Sequence, residues 1–383
     1  MLAGLMLADL GADVVTIEPP GGAEGRRLPP FLDDRVGLEH SLSWHALNRN
    51  KRSVTLDLDS ADGQDVLQRM ASRADAVIEC APTRCAALRD AGLVHCIVRP
   101  FSASGPKSHY AYTDRTLVAA AGVPAATGNA DRAPLFLPVP QAMMEAGGEA
   151  AIGVLAALSA RARDRSGQRV EISMRAAAMM SAFSLPYYND TPEQPPLRGQ
   201  GRRAVAGVEL PSFLPCLDGF VQTSIAFGGF GGITTRMAQW LVRCGALDAP
   251  IAEVDWSHFP HADAALAAAQ LQQLVDGLRA VLLTLRKDEI GVAARTHGFF
   301  LAPLLDMADI AAFEQYTERG LWQPQTLANG RTIQAPARIV RSDSFDIEVR
   351  RPAPALSEHT HELLLEAGLS GTEIQSLFIH HVI

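Results

Sequence analysis

Apolar and polar positions along the N-terminal half follow two periods in turn, and the switches between them set out the expected elements. Leu2 to Leu10 is rich in Ala, Leu and Met with Asp9 as its one charge, which predicts a helix. Gly11 suits the left-handed position that follows a helix. Val14-Val15-Thr16-Ile17 is a short β-branched run closed by Glu18-Pro19-Pro20-Gly21-Gly22, the pattern of a buried strand and its turn. Ser53 to Leu58, Ala76 to Glu79 and Val94 to Val98 read as further strands. Between them, Ala61 to Ala74 and Arg84 to Ala91 read as helices. The first of these carries its acidic residues early and Arg69 and Arg73 late, as the helix macrodipole favours. Strands alternating with helices of this length predict a mainly parallel sheet covered on both faces. A helix that feeds a strand this early points to a crossover unit whose first strand is absent or supplied differently.

Further on, Gly147 to Arg163 predicts a long Ala-rich helix, Arg169 to Ser173 a strand, and Ala176 to Phe183 another helix. Thr191 to Gly207 breaks the pattern with three prolines, three glycines and three arginines, and reads as a linker or surface loop. A second region follows, with strands at Phe213 to Leu217 and Phe220 to Ile225 and helices at Thr234 to Cys244 and Ala267 to Leu285. Arg331 to Val340 is strand-like, and helices at His359 to Ala367 and Thr372 to Phe378 close the chain.

Composition narrows the function classes. At 383 residues the chain exceeds a usual single domain, so two domains or one large α/β body is expected. A formal charge of -8, from 34 basic against 42 acidic residues, disfavours nucleic acid or an anionic membrane as main partner. Local Arg and Lys clusters still allow a phosphorylated ligand. Cys80, Cys85, Cys96, Cys216 and Cys244 contain no C-x-x-C pair, which argues against a disulfide framework or a zinc site. The eleven histidines show no H-E-x-x-H spacing, so no metal is expected. No run approaches 18 apolar residues and the start lacks the pattern of a leader peptide, so a cytoplasmic protein is the expectation.

Four stretches, in order, resemble the class III coenzyme A transferases, the group that includes formyl-CoA and carnitine-CoA transferases and acyl-CoA racemases. They are Leu7-Ala8-Asp9-Leu10-Gly11-Ala12-Asp13-Val14-Val15 with Glu18-Pro19-Pro20-Gly21-Gly22, then Asn48 to Leu58 (NRNKRSVTLDL) with Ala74 to Glu79 (ADAVIE). Next come Gly153 to Leu158 (GVLAAL) with Gly167 to Ser173 (GQRVEIS), and finally Pro352 to Thr360 (PAPALSEHT) with Gly368-Leu369-Ser370. The resemblance implies an α/β fold: a doubly wound, mainly parallel, Rossmann-like CoA-binding domain with a smaller α+β domain, in an interlocked dimer. On this chain the large domain would cover 1–190, the small domain 207–322, and 323–383 would return to the large domain.

The resemblance also implies a chemistry. A side-chain carboxylate attacks an acyl-CoA thioester to give a mixed anhydride, the CoA thiolate returns to form an enzyme thioester, and a carboxylic acid then accepts the CoA. Backbone N–H groups of a glycine-rich loop would stabilise the oxyanions. The nucleophilic Asp of the family lies ten residues before the glycine of the GVLAAL stretch, and counting back from Gly153 reaches Met143. Methionine cannot form an anhydride. Glu145 is the nearest carboxylate. Asp114 is the second catalytic candidate, at a position that lines the active site in relatives, and its alternative role is to cap a helix from Arg115 to Ala121. Thr113 stands where racemases carry histidine, which disfavours the two-base chemistry of α-epimerisation.

For CoA itself, Arg26 beside Arg27, and Lys51 with Arg52, are the candidate phosphate partners. The resemblance adds Leu56 and Asp57 against adenine, and Tyr112 beside the reacting group. Gly228-Gly229-Phe230-Gly231-Gly232 reads as a tight turn before a helix in preference to a mobile donor loop, and it lacks the lysine of a phosphate loop. Three functions stay open at this point. The first is CoA transfer between an acyl-CoA and a carboxylic acid as a homodimer. The second is a catalytically silent subunit in a heterodimer with a paralogue that carries the Asp. The third is a degenerate racemase or CoA-binding module.

Overall fold

The computed structural model describes residues 1–80, 88, 92–128, 131–183, 202–327 and 329–383. The expected helix Arg84 to Ala91, Cys85 and most of the linker 191–207 lie outside the described residues. The chain divides into two compact units, one built from Met1–Pro124, Phe136–Tyr187 and Glu314–Ile383, the other from Ala125–Leu135 and Tyr188–Phe313.

The first unit is α/β with parallel strands. It begins with α1 (Leu2–Asp9), β1 (Val14–Glu18), α2 (Leu42–Asn48), β2 (Lys51–Thr55), α3 (Ala61–Ala71), β3 (Ala76–Glu79) and β4 (Val94–Arg99). It continues through α4 (Asp114–Ala120), α5 (Gln141–Asp164), β5 (Arg169–Ser173) and α6 (Met174–Met179). The β-branched run of β1 pairs in parallel with β2, Val14 opposite Lys51 and Glu18 opposite Thr55. A separate parallel ladder joins β3, β4 and β5, with Ile78 opposite Cys96 and Cys96 opposite Val170. Alternating strands and helices are therefore present as expected, but the parallel strands form two ladders and not one continuous sheet.

Small side chains let the helices of this unit approach closely. Ala142, Ala146, Ala150 and Val154 of α5 pack with Ala3 and Leu7 of α1, Leu117 of α4 and Ala178 of α6 in one core. The expected start of the long helix at Gly147 is six residues late. Gly147 sits inside α5, where an added Cβ would stand 2.8 Å from the Leu2 Cβ. Its glycine serves a helix crossing, not a helix end. By length and composition α5 could also cross a membrane, but its buried alanine stripe makes it the core helix of this unit.

The second unit has its own core. It contains β6 (Arg202–Val205), β7 (Val208–Pro211), β8 (Phe213–Cys216), β9 (Gly219–Thr223), α7 (Gly231–Arg243), α8 (Ala264–Leu282), α9 (Lys287–His297), β10 (Leu301–Pro303) and α10 (Met307–Ala311). An antiparallel sheet in the order β10-β9-β8 and the β6–β7 hairpin pack with Met237, Trp240 and Leu241 of α7 and Leu271, Leu274 and Leu278 of α8. The glycine-rich stretch forms a short 3₁₀ turn leading into α7. A Cβ on Gly231 would lie 2.3 Å from the Trp256 carbonyl carbon, so that position accepts only glycine, whereas Gly229 faces open space.

The chain ends back in the first unit with α11 (Glu314–Glu318), β11 (Trp322–Thr326), β12 (Thr332–Pro336), α12 (Thr360–Glu366) and α13 (Gly371–Ile379). Leu364, Ile374 and Leu377 of the last two helices bury against Leu56, Val66 and Leu67. The Asp57 N–H donates to the Val382 carbonyl at 2.7 Å, which fastens the tail to the end of β2.

Candidate active site

The resemblance points to the first turn of α5 as the candidate site. A helix leaves its leading N–H groups without intrahelical acceptors. Pro140 at the N-cap position has no side-chain oxygen to offer. The missing acceptor comes from another helix: Asp114 Oδ1 accepts the Met143 N–H at 3.0 Å. Asp114 is the first residue of α4, and its expected role as that helix's own cap is corrected by the structure. Thr113 is the cap, in a reciprocal box with Thr116: Thr113 Oγ1 accepts the Thr116 N–H and Thr116 Oγ1 accepts the Thr113 N–H. This leaves Asp114 to project toward α5. Met143 itself is 46 % exposed, so a thioether fronts the turn.

Glu145 lies within the same helix and is half-buried. Its Oε1 accepts from Gln141 Nε2 at 3.1 Å and from Ser181 Oγ. Its Oε2 is buried with no partner among the described residues. Gln141 Nε2 also donates to Ser181 Oγ at 3.1 Å. Asp114 and Glu145 thus flank the turn at Met143, one on its backbone and one bound to a neighbouring hydroxyl. Gln141 and Ser181 carried no motif that sequence reading could use.

The basic residues proposed for phosphate do not assemble into one cluster. Arg26 is fully buried, with its ring contact over Trp44 at 3.9 Å. Its five N–H donors meet Glu18 twice, Glu39, the Leu38 carbonyl and the Pro354 carbonyl. A guanidinium has five donors, so none is left for a ligand. Arg26 holds the fold, and its assignment to CoA is corrected. Lys51 and Arg52 are consecutive strand residues and therefore face opposite sides. Lys51 Nζ donates to the Met1 carbonyl at 2.8 Å and Asn48 Oδ1 at 2.7 Å, and burial pushes its pKa down to about 7. Arg52 spreads over Asp13, Glu362 and Glu366, and its hydrogen bonds to Glu366 and Asp13 raise its pKa. Both are committed to protein groups.

Of the remaining CoA candidates, Leu56 is 1 % exposed inside the apolar core, and Asp57 Oδ1 accepts the Asp59 N–H at 3.0 Å. Tyr112 is 37 % exposed in the loop that enters α4. Arg27, unlike its neighbour, is exposed at the carboxyl end of β1, where it donates to the carbonyls of Gly21 and Gly22. Lys107 is exposed after β4, 5.9 Å from the centre of the Tyr110 ring. Ligands of open parallel sheets gather at the carboxyl ends of strands. Arg27 and Lys107 keep solvent-facing cations after β1 and β4, whereas Arg26 and Lys51 are buried.

Comparison with known proteins settles the family. The profile of CoA-transferase family III matches residues 1–360. The chain belongs to that family. Coenzyme A thioesters are the substrates of family III enzymes, and similar proteins carry CoA-transferase names. One is the succinyl-CoA:(R)-benzylsuccinate CoA-transferase subunit BbsE of Thauera aromatica, 28% identical over 97% of this chain and 92% of that protein. Another is the succinate–glutarate CoA-transferase of Agrobacterium fabrum, 25% identical over 95% of this chain and 91% of that protein. A CAIB/BAIF family protein from Brucella suis has the same fold, with a TM-score of 0.77 at 23% identity over 96% of this family III chain and 94% of that one.

Proposed function

We propose that this chain is a nucleophile-free subunit of a class III CoA-transferase, paired with a paralogous subunit that carries the reactive aspartate. The observation that carries the reading is Met143: a thioether in the first turn of α5, where the resemblance places the carboxylate. A methionine cannot be acylated to an anhydride and then exchange CoA. The flanking carboxylates have other work, Asp114 on the Met143 N–H and Glu145 on Ser181 and Gln141. That one relative is named as a subunit supports a paired enzyme.

An exposed apolar run supports a partner too: Leu135, Phe136, Leu137 and Val139 all keep open side chains. The proposed assembly is an interlocked cytosolic dimer in which each chain contributes both of its compact units. It would move CoA from an acyl-CoA thioester to a carboxylic acid.

A second reading has one observation in its favour. Asp114 brings a carboxylate to within 3.0 Å of the Met143 N–H, the same helix terminus that lost its own. In that reading Asp114 is the nucleophile of a homodimer. Incubation with an acyl-CoA followed by hydroxylamine or borohydride separates the two, because both reagents trap an activated enzyme carboxylate. The subunit reading expects no label on this chain alone and label on a co-purified paralogue. Label at Asp114 or Glu145 of the isolated chain overturns it.

A further inference from the structure

A cleft that the acyl-exchange chemistry does not use lies at the amino ends of β1 and β2, beside Asp13 and Asn50, and encloses about 310 Å³ within the first unit. That is at the small end of ligand-pocket sizes. One wall holds Asp13, Glu362 and Glu366, all bonded to Arg52. Three carboxylates around one guanidinium leave a formal excess of two negative charges. Their side chains remain open to solvent, 64, 59 and 51 % exposed respectively, so lone pairs are available to a ligand.

Arg350 and Arg351 also line the cleft and supply the compensating charge. Neither forms an ion pair among the described residues. Arg350 spends one nitrogen on the Ala8 carbonyl, and the Arg351 side chain has no hydrogen-bond partner among the described residues. Their backbone is nevertheless fixed. Asn50, buried and in the left-handed conformation (φ 63°), accepts the N–H groups of both arginines and donates its own N–H to the Arg351 carbonyl. The cleft is neutral overall and lined by both signs. A bare anion gains from the arginines and loses to the carboxylates, and a bare cation does the reverse. A molecule with both charges gains at each end.

We propose that this cleft binds a small zwitterion of the amino-acid class, with its carboxylate on Arg350 and Arg351 and its ammonium toward Glu362 and Glu366. Calorimetric titration of the purified chain, together with any co-purified partner, tests this with ω-amino acids of four to eight carbons. Saturable binding with one preferred length is expected. The matching alkyl carboxylate, the matching alkylamine and inorganic pyrophosphate should each bind about tenfold more weakly or worse, the loss expected for one charged hydrogen-bond set. Arg351→Ala, which removes no internal bond, should weaken the amino acid by about tenfold. Glu362→Gln should weaken it in the same direction while strengthening binding of the alkyl carboxylate, which the lost charge no longer repels. Absence of saturable binding overturns the proposal. So does pyrophosphate binding as tightly as the amino acids, or an Arg351→Ala chain that binds them unchanged.

Discussion

The carboxylate of Asp114 and the backbone N–H of Met143 are joined across two helices at 3.0 Å, so α4 supplies the cap that α5 lacks. A carboxylate there satisfies an orphan donor and also meets the positive end of a 24-residue helix. Asp114→Ala should therefore cost about 1 kcal/mol of stability. Asp114→Asn, which keeps an acceptor but loses the charge, should cost about half as much. Urea denaturation measures both. An Asp114→Ala chain of unchanged stability would show that the contact is incidental.

Arg26 offers a sharper separation of structure from ligand binding. Removing one member of a buried, hydrogen-bonded ion pair leaves the other charge stranded, here Glu18, which is also fully buried. Arg26→Ala should lose about 3–5 kcal/mol. Arg26→Lys should also be strongly destabilised, because an ammonium cannot reproduce the fork on Glu18. Arg27→Ala should leave stability unchanged and weaken CoA binding. A stable Arg26→Ala chain with weakened CoA binding would reverse these roles.

The contrast between Arg26 and the strands shows what the sequence could and could not convey. Val14 to Glu18, Ala76 to Glu79 and Val94 to Arg99 were legible because β-branched and apolar runs between turn residues encode a buried strand locally. The family was legible because its motifs recur in order along the chain. The fate of each arginine was not, since Arg26 is saturated partly by Pro354 and Arg52 by Glu362 and Glu366, about 300 residues away. Gly147 misled for a related reason: a glycine needed for contact with Leu2 looks, in one dimension, like a helix boundary. Met143 was legible as a thioether where the resemblance places a carboxylate, but the hydrogen bond from its N–H to Asp114 depends on how two helices pack.

Lys51 gives a pH signature. Its pKa in the fold is about 7, lowered chiefly by burial, against about 10.4 in an unfolded chain. Between those values the unfolded chain holds a proton that the folded chain has released. Stability from this residue therefore rises with pH across that window, and the penalty is complete below pH 7. Wild type minus Lys51→Met should gain about 1 kcal/mol per pH unit from pH 7.5 to 9.5. The amino-terminal amine, also lowered by burial, contributes to both chains and largely cancels in the difference. Parallel stability curves for the two proteins would mean that Lys51 stays protonated in the fold.

Restoring the missing carboxylate tests the functional proposal most directly, and Asp114 makes the outcome depend on two positions. Met143→Asp places a carboxylate on the exposed side of the α5 turn, where its attack on a thioester is unobstructed by the core. Asp114 already holds negative charge at that N–H. Two like charges at one helix terminus repel, so the new carboxylate would be displaced from the geometry that attack requires. Met143→Asp should then give faint hydroxylamine-trappable labelling with acyl-CoA, and Met143→Asp with Asp114→Asn a clearly stronger signal. Mass spectrometry of the trapped peptide locates the label at position 143. A double variant no more reactive than the wild-type chain, yet equally stable and still binding CoA, would show that this turn lies away from the thioester.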